Sequence, residues 1–293
     1  MKAIFKRNNS IVLQDKSIPN LQDSKSVLIK VILAGLCRTD LYVAQNKILI
    51  KEGTTLGHEF AGTIEKMGSD VDGMQLNQRV GVMPVFENGN DFSMLGVDVD
   101  GAYADYVIVP ARNVYPIPDQ LTAEEAVFLE PVAASLAVCN TPIHPKQRGL
   151  IYGQNRTAEL TRRILNIKGF NFIDICMDNQ LPTLTNEYDF IVETSPTAIA
   201  FENIVRLVKR KGMILLKSRP YSSIPLPITT IVRKEIQLIG VHYGDFKEGI
   251  LLLASGTLEV HDLLGDTYSF AEAMPILSGE RIIPEDKKIF FKP

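Results

Sequence analysis

Between Arg148 and Val241 the chain alternates short apolar runs with segments whose apolar residues recur at helical spacing, and this alternation limits the possible fold more than any other feature. Gly149-Leu150-Ile151-Tyr152 leads through a glycine turn into a helical segment from Thr157 to Ile167, which returns to an apolar run from Phe172 to Met177. Tyr188 to Val192 leads into a second helical segment, Ala198 to Lys209, whose end is marked by the basic run Lys209-Arg210-Lys211. Met213 to Leu216 then passes through a proline-rich loop to Glu235 to Val241. Strand, turn, helix and strand in that order predict a parallel α/β sheet, because parallel neighbours need a crossover connection.

The chain before about Pro118 reads differently. Met1 to Phe5 and Ser26 to Leu33 alternate, Arg79 to Met83 is a short apolar run, and Ala102 to Pro110 alternates again, with glycine and proline between. This half predicts a β-barrel or a strongly bent sheet. Thr122 followed three residues later by Glu125 forms a capping box ahead of an apolar helical stretch reaching Cys139, and a second domain starts nearby. Lys288-Ile289-Phe290-Phe291 is a late strand able to rejoin the N-terminal sheet. The expected domains are therefore 1–130 with 251–293, and 131–250.

Composition excludes several functions. The 293 residues are 45% hydrophobic and 22% charged with a net charge of −3, so there is no basic footprint for nucleic acid. No window approaches the ~20 apolar residues of a membrane span, and the N-terminus reads as a strand rather than a signal peptide. Cys37, Cys139 and Cys176 are odd in number and far apart, which suits a reducing compartment and a cytoplasmic protein.

Leu56-Gly57-His58-Glu59-Phe60-Ala61-Gly62 sets a histidine against an acid between two glycines in an apolar run. Zinc takes three or four ligands from cysteine, histidine and carboxylate. His58 and Glu59 are candidates, Cys37 at the end of a strand offers a thiolate, and Glu130 offers a carboxylate at the domain boundary. Singly, each has a plain structural reading: Cys37 as core, Glu130 as a helix-surface acid.

Together they resemble the zinc-dependent medium-chain dehydrogenase/reductase family. Gly57-His58-Glu59, Gly62, Gly68 and Val71 match its signature in GHEFAGTIEKMGSDV, GLCRTD matches its Cys-x-Ser/Thr-Asp segment, and DGAYADYVIVP, LEPVAASLAV and LLASGTLE follow in family order. The resemblance covers nearly the whole chain. It implies a GroES-like β-rich catalytic domain formed by both chain ends, with a reduced Rossmann-like parallel α/β domain inserted and the active site in the cleft. It further implies one catalytic zinc held by Cys37, His58 and either Glu59 or Glu130, with Glu59 a ligand or an exchanging one. Thr39 would handle the substrate proton, and Asp40 would orient a ligating histidine. Three features depart from the family. The stretch that carries four structural-zinc cysteines in many relatives has none here, so no structural zinc is expected. Tyr42 stands where the relay often has histidine, and its pKa near 10 makes it a poor proton acceptor. Asn77-Gln78 replaces a usual Gly-Asp.

At the expected G-x-G-x-x-G only Gly153 survives, with Asn155 and Ala158 in the other glycine places. Asn155 obstructs the approach of a pyrophosphate. Asp178 follows Met177, which falls near the position of the ribose acid, and only NQLPTLTNE separates Asp178 from the strand at Tyr188, where relatives fit a helix, a strand and another helix. Arg38 matches a pyrophosphate-contacting arginine of some relatives, and Ser195 is a further cofactor-side candidate. The resulting expectation is an enzyme, a zinc-dependent oxidoreductase moving hydride between NAD or NADP and a secondary alcohol or polyol, or its carbonyl. The broken glycine motif leaves open a non-redox zinc enzyme or a family member that has lost its dinucleotide. The apolar stretch Tyr221 to Thr230 with Ile236 to Val241 suggests a homodimer.

Overall fold

The computed structural model describes the chain except residues 89–90 and 178–184 and the side chain of Asn88. It divides into two compact units. The first comprises Met1–Glu130, Ile250–Ala254 and Glu259–Pro293, and the second Pro131–Gly249 and Ser255–Leu258.

The first unit is built on a seven-stranded sheet in which Leu264–Ser269, Lys288–Lys292, Ser26–Gly35, Glu59–Met67, Arg79–Val82 and Val114–Pro116 are successive neighbours, while Tyr106–Pro110 also pairs with Ser26–Gly35. Lys288–Lys292 does rejoin the N-terminal sheet, with Phe290 opposite Gly35 and Phe291 opposite Ala34. Its first four residues are all buried, so it is a central strand covered on both faces rather than a half-exposed one. Phe291 meets Tyr103 edge-on at 5.2 Å inside the core. Full burial of side chains of this size contributes roughly 1.5–3 kcal/mol each. The expected strand from Ala102 is shorter than its alternation suggests. Only Tyr106–Pro110 is a strand; Ala102 and Tyr103 turn their backbones to Gly57 and Leu56, and Ala104 bridges to Ala3.

In the second unit, Ile173–Cys176, Gly149–Tyr152, Tyr188–Glu193, Val208–Leu216 and Gln237–Gly240 form one sheet in that order, every pair parallel. Successive residues feed opposite faces. Leu150, Ile191 and Ile214 belong to one apolar cluster and Ile151, Val192 and Leu215 to another, as a period of two with both faces covered requires. The carboxyl ends lie level, with Tyr152 beside both Cys176 and Glu193, Glu193 beside Leu216, and Leu216 beside Gly240.

Two local expectations change. The helix stops at Leu207, and the basic run Lys209-Arg210-Lys211 lies inside the following strand, where Lys211 takes a φ of 61° and the pairing shifts register. Its charges are paired, Lys209 with Asp189 at 2.7 Å and both Arg210 and Lys211 with Glu235. The proline-rich loop contains a short helix, Ile228–Lys234, started by Pro227. Among the described residues no helix is long and apolar enough to cross a membrane.

Candidate metal centre

The site begins where the strand Ser26–Gly35 ends. Leu36 N–H donates to Ile289 O at 2.9 Å, and Cys37 then stands at the N-cap of the helix Arg38–Ala44. Cys37 N–H donates to Asp40 Oδ2 at 2.9 Å, which closes the first turn and leaves the sulfur at the positive end of the helix. The thiol lies 3.7 Å from Thr39 Oγ1.

His58 arrives just ahead of the strand Glu59–Met67. Gly57 has φ +93°, and a Cβ there would fall 2.3 Å from the Tyr103 ring, so glycine is required twice over. This bend delivers His58 to a wholly buried position in which neither ring nitrogen has a hydrogen-bond partner. Two idle buried nitrogens cost free energy unless something binds them, and a metal ligand is the plain chemical use for such an imidazole. Glu59 follows as the first residue of Glu59–Met67, opposite Gly35. Cys37, His58 and Glu59 each offer a donor atom within 4.8 Å of the others, a spacing that bonds of ~2.0–2.3 Å to one ion come close to spanning. The residues fit a zinc ion.

Glu130, buried in the first turn of Leu129–Leu136, lies near enough for its charge to act on both Cys37 and His58. Burial by itself would raise the Cys37 thiol; the charge of His58, helped by Lys288, overcomes this and brings it down to about 6 against Glu130. Burial would likewise lower His58, and the charges of Cys37 and Asp40 instead raise it to about 9. The pocket therefore holds excess negative charge and pulls a cation toward itself.

Asp40 orders the surroundings. Its carboxylate accepts from Cys37 N–H, from Gly57 N–H at 3.3 Å and from the Tyr103 hydroxyl at 2.9 Å, and it lies 3.7 Å from His58 Nδ1. At that separation it acts on His58 through charge rather than a hydrogen bond.

Of the other residues singled out in this unit, Thr39 is beside Cys37, Tyr42 is half-buried with Lys47 Nζ 5.7 Å from its ring centre, and Arg38 is exposed on the first turn. In the second unit Gly153 has φ +134°, and an added Cβ would meet Thr194 Oγ1 at 2.2 Å. Asn155 does more than obstruct. Its carboxamide accepts from Ala158 N–H at 3.0 Å as the N-cap of Arg156–Ile167, and donates to Thr194 O at 3.1 Å, so it caps the helix and latches it to the end of the strand Tyr188–Glu193. Ser195 follows that latch, half-buried. Asp178 lies outside the described residues.

Two members of the site escaped the sequence reading. Lys288 is fully buried, with Nζ donating to Leu36 O at 3.0 Å and paired with the Glu59 carboxylate. Tyr103 holds Asp40. Nothing local marks either one, since a lysine opening a strand reads as surface and a tyrosine between alanines reads as core.

Residues 23–119 match the alcohol dehydrogenase GroES-like domain family. The chain is 25% identical to the sorbitol dehydrogenase of Bacillus subtilis (strain 168) over an alignment covering 92% of this chain and 90% of that protein. It is 36% identical to the L-threonine 3-dehydrogenase of Xanthomonas oryzae pv. oryzae (strain MAFF 311018) over 45% of this chain, spanning 44% of that protein's length. A Sinorhizobium meliloti 1021 protein assigned as a zinc-binding dehydrogenase and bound to NADP has the same fold, with a TM-score of 0.89 at 20% identity over 100% of this chain and 99% of that one.

Proposed function

The chain belongs to the medium-chain dehydrogenase/reductase family, and from that premise we propose that it is a zinc-dependent oxidoreductase moving hydride between NAD or NADP and a secondary alcohol or polyol, or the corresponding carbonyl. The observation that carries this reading is the wholly buried His58, both nitrogens idle, within reach of Cys37 and Glu59. Its similarity to a sorbitol dehydrogenase along nearly the whole chain supports the redox reading over a non-redox one.

Cys37 and His58, with Glu59 and Glu130 sharing the remaining protein positions, would hold a zinc ion, which when bound supplies Lewis-acid polarisation of a substrate oxygen. The remaining work belongs to the chain. Thr39 Oγ1, next to Cys37, takes and hands on the substrate hydroxyl proton. With Tyr42 at the outer place of the relay, the path outward runs through water. Asp40 holds the loop of Cys37 and the bend of Gly57 in one geometry, so that both ligating residues meet. Ligands of open parallel sheets bind outside the strands' carboxyl ends, which are level here, and we assign Gly153, Asn155 and Ser195 of the second unit to the cofactor, with Arg38 and Asp178 kept as candidates on sequence grounds.

Elemental analysis followed by fluorescence titration of the zinc-loaded protein with NADH and NADPH to millimolar concentration tests the reading. One zinc per chain and saturable binding of one cofactor support it. Zinc without binding of either cofactor rejects hydride transfer.

The same reading includes a homodimer and a cytoplasmic location. Gln237–Gly240 is an edge strand, and Val232 and Ile228 nearby are 68% and 57% exposed, surface that a second copy would cover. Light scattering that gives a monomer at micromolar concentration rejects the dimer. No disulfide joins Cys37, Cys139 or Cys176, which suits a reducing compartment.

A further inference from the structure

An open parallel sheet that takes a dinucleotide is built from two βαβαβ halves, each serving one mononucleotide, and the ligand lies across the point where the strand order reverses. In the second unit that point falls between Gly149–Tyr152 and Tyr188–Glu193. The half that starts at Tyr188 is whole. Tyr188–Glu193, the helix Ala198–Leu207, Val208–Leu216, the helix Ile228–Lys234 and Gln237–Gly240 make a complete βαβαβ. Its loops are tied together at the carboxyl ends of the strands. The buried Glu193 carboxylate accepts from Ser218 Oγ at 2.7 and 2.6 Å and from Ser218 N–H at 3.3 Å, and Lys217 Nζ donates to His242 O at 3.4 Å.

The half that starts at Gly149 is cut short. Gly149–Tyr152, the helix Arg156–Ile167 and Ile173–Cys176 form a single βαβ, and among the described residues no third strand extends the sheet past Ile173–Cys176. Residues 177–187 are all that the chain provides before Tyr188, whereas two crossovers with a strand between them need on the order of 25 residues or more. What remains of this half is filled by protein. Asn155 Oδ1 takes the Ala158 N–H that a phosphate at the helix start would use, and Asn155 Nδ2 bridges to Thr194 O at 3.1 Å and to Thr194 Oγ1 at 3.2 Å. In sheets of this kind the half that opens with the glycine turn takes the ribose whose 2′ position separates NAD from NADP, which is the adenosine end.

We infer that the chain binds NAD or NADP through the nicotinamide mononucleotide half of the cofactor, the adenosine half adding little, so that reduced nicotinamide mononucleotide serves in place of either. The inference rests on the cofactor part of the proposed function and is independent of its metal part. The 2′ phosphate that distinguishes NADPH sits on the half with the shortened site, so the chain also does not select between the two dinucleotides.

Fluorescence titration of the zinc-loaded full chain with NADH, NADPH and reduced nicotinamide mononucleotide tests it, since all three carry the same fluorescent dihydronicotinamide. The three dissociation constants should agree within about fivefold, a margin that about one net hydrogen bond to the adenosine half would exceed. Millimolar AMP should leave bound NADH in place, and millimolar oxidised nicotinamide mononucleotide should displace it. If the mononucleotide binds more than about fivefold more weakly than NADH, the inference falls and the dehydrogenase reading stands. The same holds if AMP displaces NADH, or if NADH and NADPH differ by more than that factor. Binding of none of the three removes the cofactor part of the proposed function and this inference together.

Discussion

The Tyr103 hydroxyl donates to Asp40 Oδ2 at 2.9 Å, and both residues are buried to within 1% exposure. This bond fastens the loop after Leu95 to the helix that starts at Cys37. The same ring packs where a side chain on Gly57 would otherwise stand.

Tyr103→Phe keeps the ring and removes the donor. Asp40 retains the Cys37 and Gly57 N–H bonds but loses the Tyr103 hydroxyl, and a hydrogen bond to a charged group contributes about 1.5–3 kcal/mol. Denaturant unfolding of the metal-free protein should show a loss in this range, and chelator competition should show zinc held about tenfold more weakly. Zinc affinity equal to wild type would mean that the backbone donors suffice to hold Asp40.

Zinc content should be near one per chain and should fall sharply in Cys37→Ser and in His58→Ala, measured by elemental analysis after dialysis. Cys37→Ser exchanges a soft thiolate for a hydroxyl that does not ionise, and His58→Ala removes a nitrogen with no other partner. A stoichiometry near two, or both variants retaining their zinc, would sink the assignment.

Asn155→Gly should bind reduced nicotinamide cofactor more tightly than the wild type, by roughly tenfold if one displaced contact of ~1 to 1.5 kcal/mol is relieved. Glycine at the N-cap costs only a few tenths of a kcal/mol, so the helix Arg156–Ile167 should survive the change. Fluorescence titration reads the affinity and circular dichroism reads the helix. Weaker binding in a folded variant would show that the carboxamide serves the cofactor.

Burial, with Arg219 and then Lys217 nearby, lowers His242 to about 4. The unfolded chain therefore takes up this proton first as pH falls. The contribution is favourable above about 6.5, erodes as pH falls from there toward 4 and is then fully lost. His242 is half-buried, so screening by solvent keeps the effect modest. His242→Gln does not titrate, and its stability relative to the wild type should improve between pH 7 and pH 5 in urea unfolding. A difference independent of pH would mean that His242 is not depressed in the folded state.

What was readable in the chain was whatever depends on near neighbours. Cys37, Thr39 and Asp40 fall within one helical turn, Gly57, His58 and Glu59 are consecutive, and Thr122 with Glu125 is a capping box whose bonds form within three residues. The alternation after Arg148 was equally legible, because the periods of strand and helix are properties of a few successive residues. Register was not. A period of two says which side chains share a face but not which strand lies alongside, so nothing in KIFF announces that Gly35 faces Phe290, or that Lys288 reaches Glu59 past the space an absent Cβ leaves at Gly35. The strand bulge at Lys209 to Lys211 was hidden for a related reason: a basic run suits a helix end, and only packing against Asp189 and Glu235 draws it into the sheet. A buried ammonium has no sequence signature, because the carboxylate that stabilises it is supplied by a distant strand and becomes its neighbour only when the sheet closes.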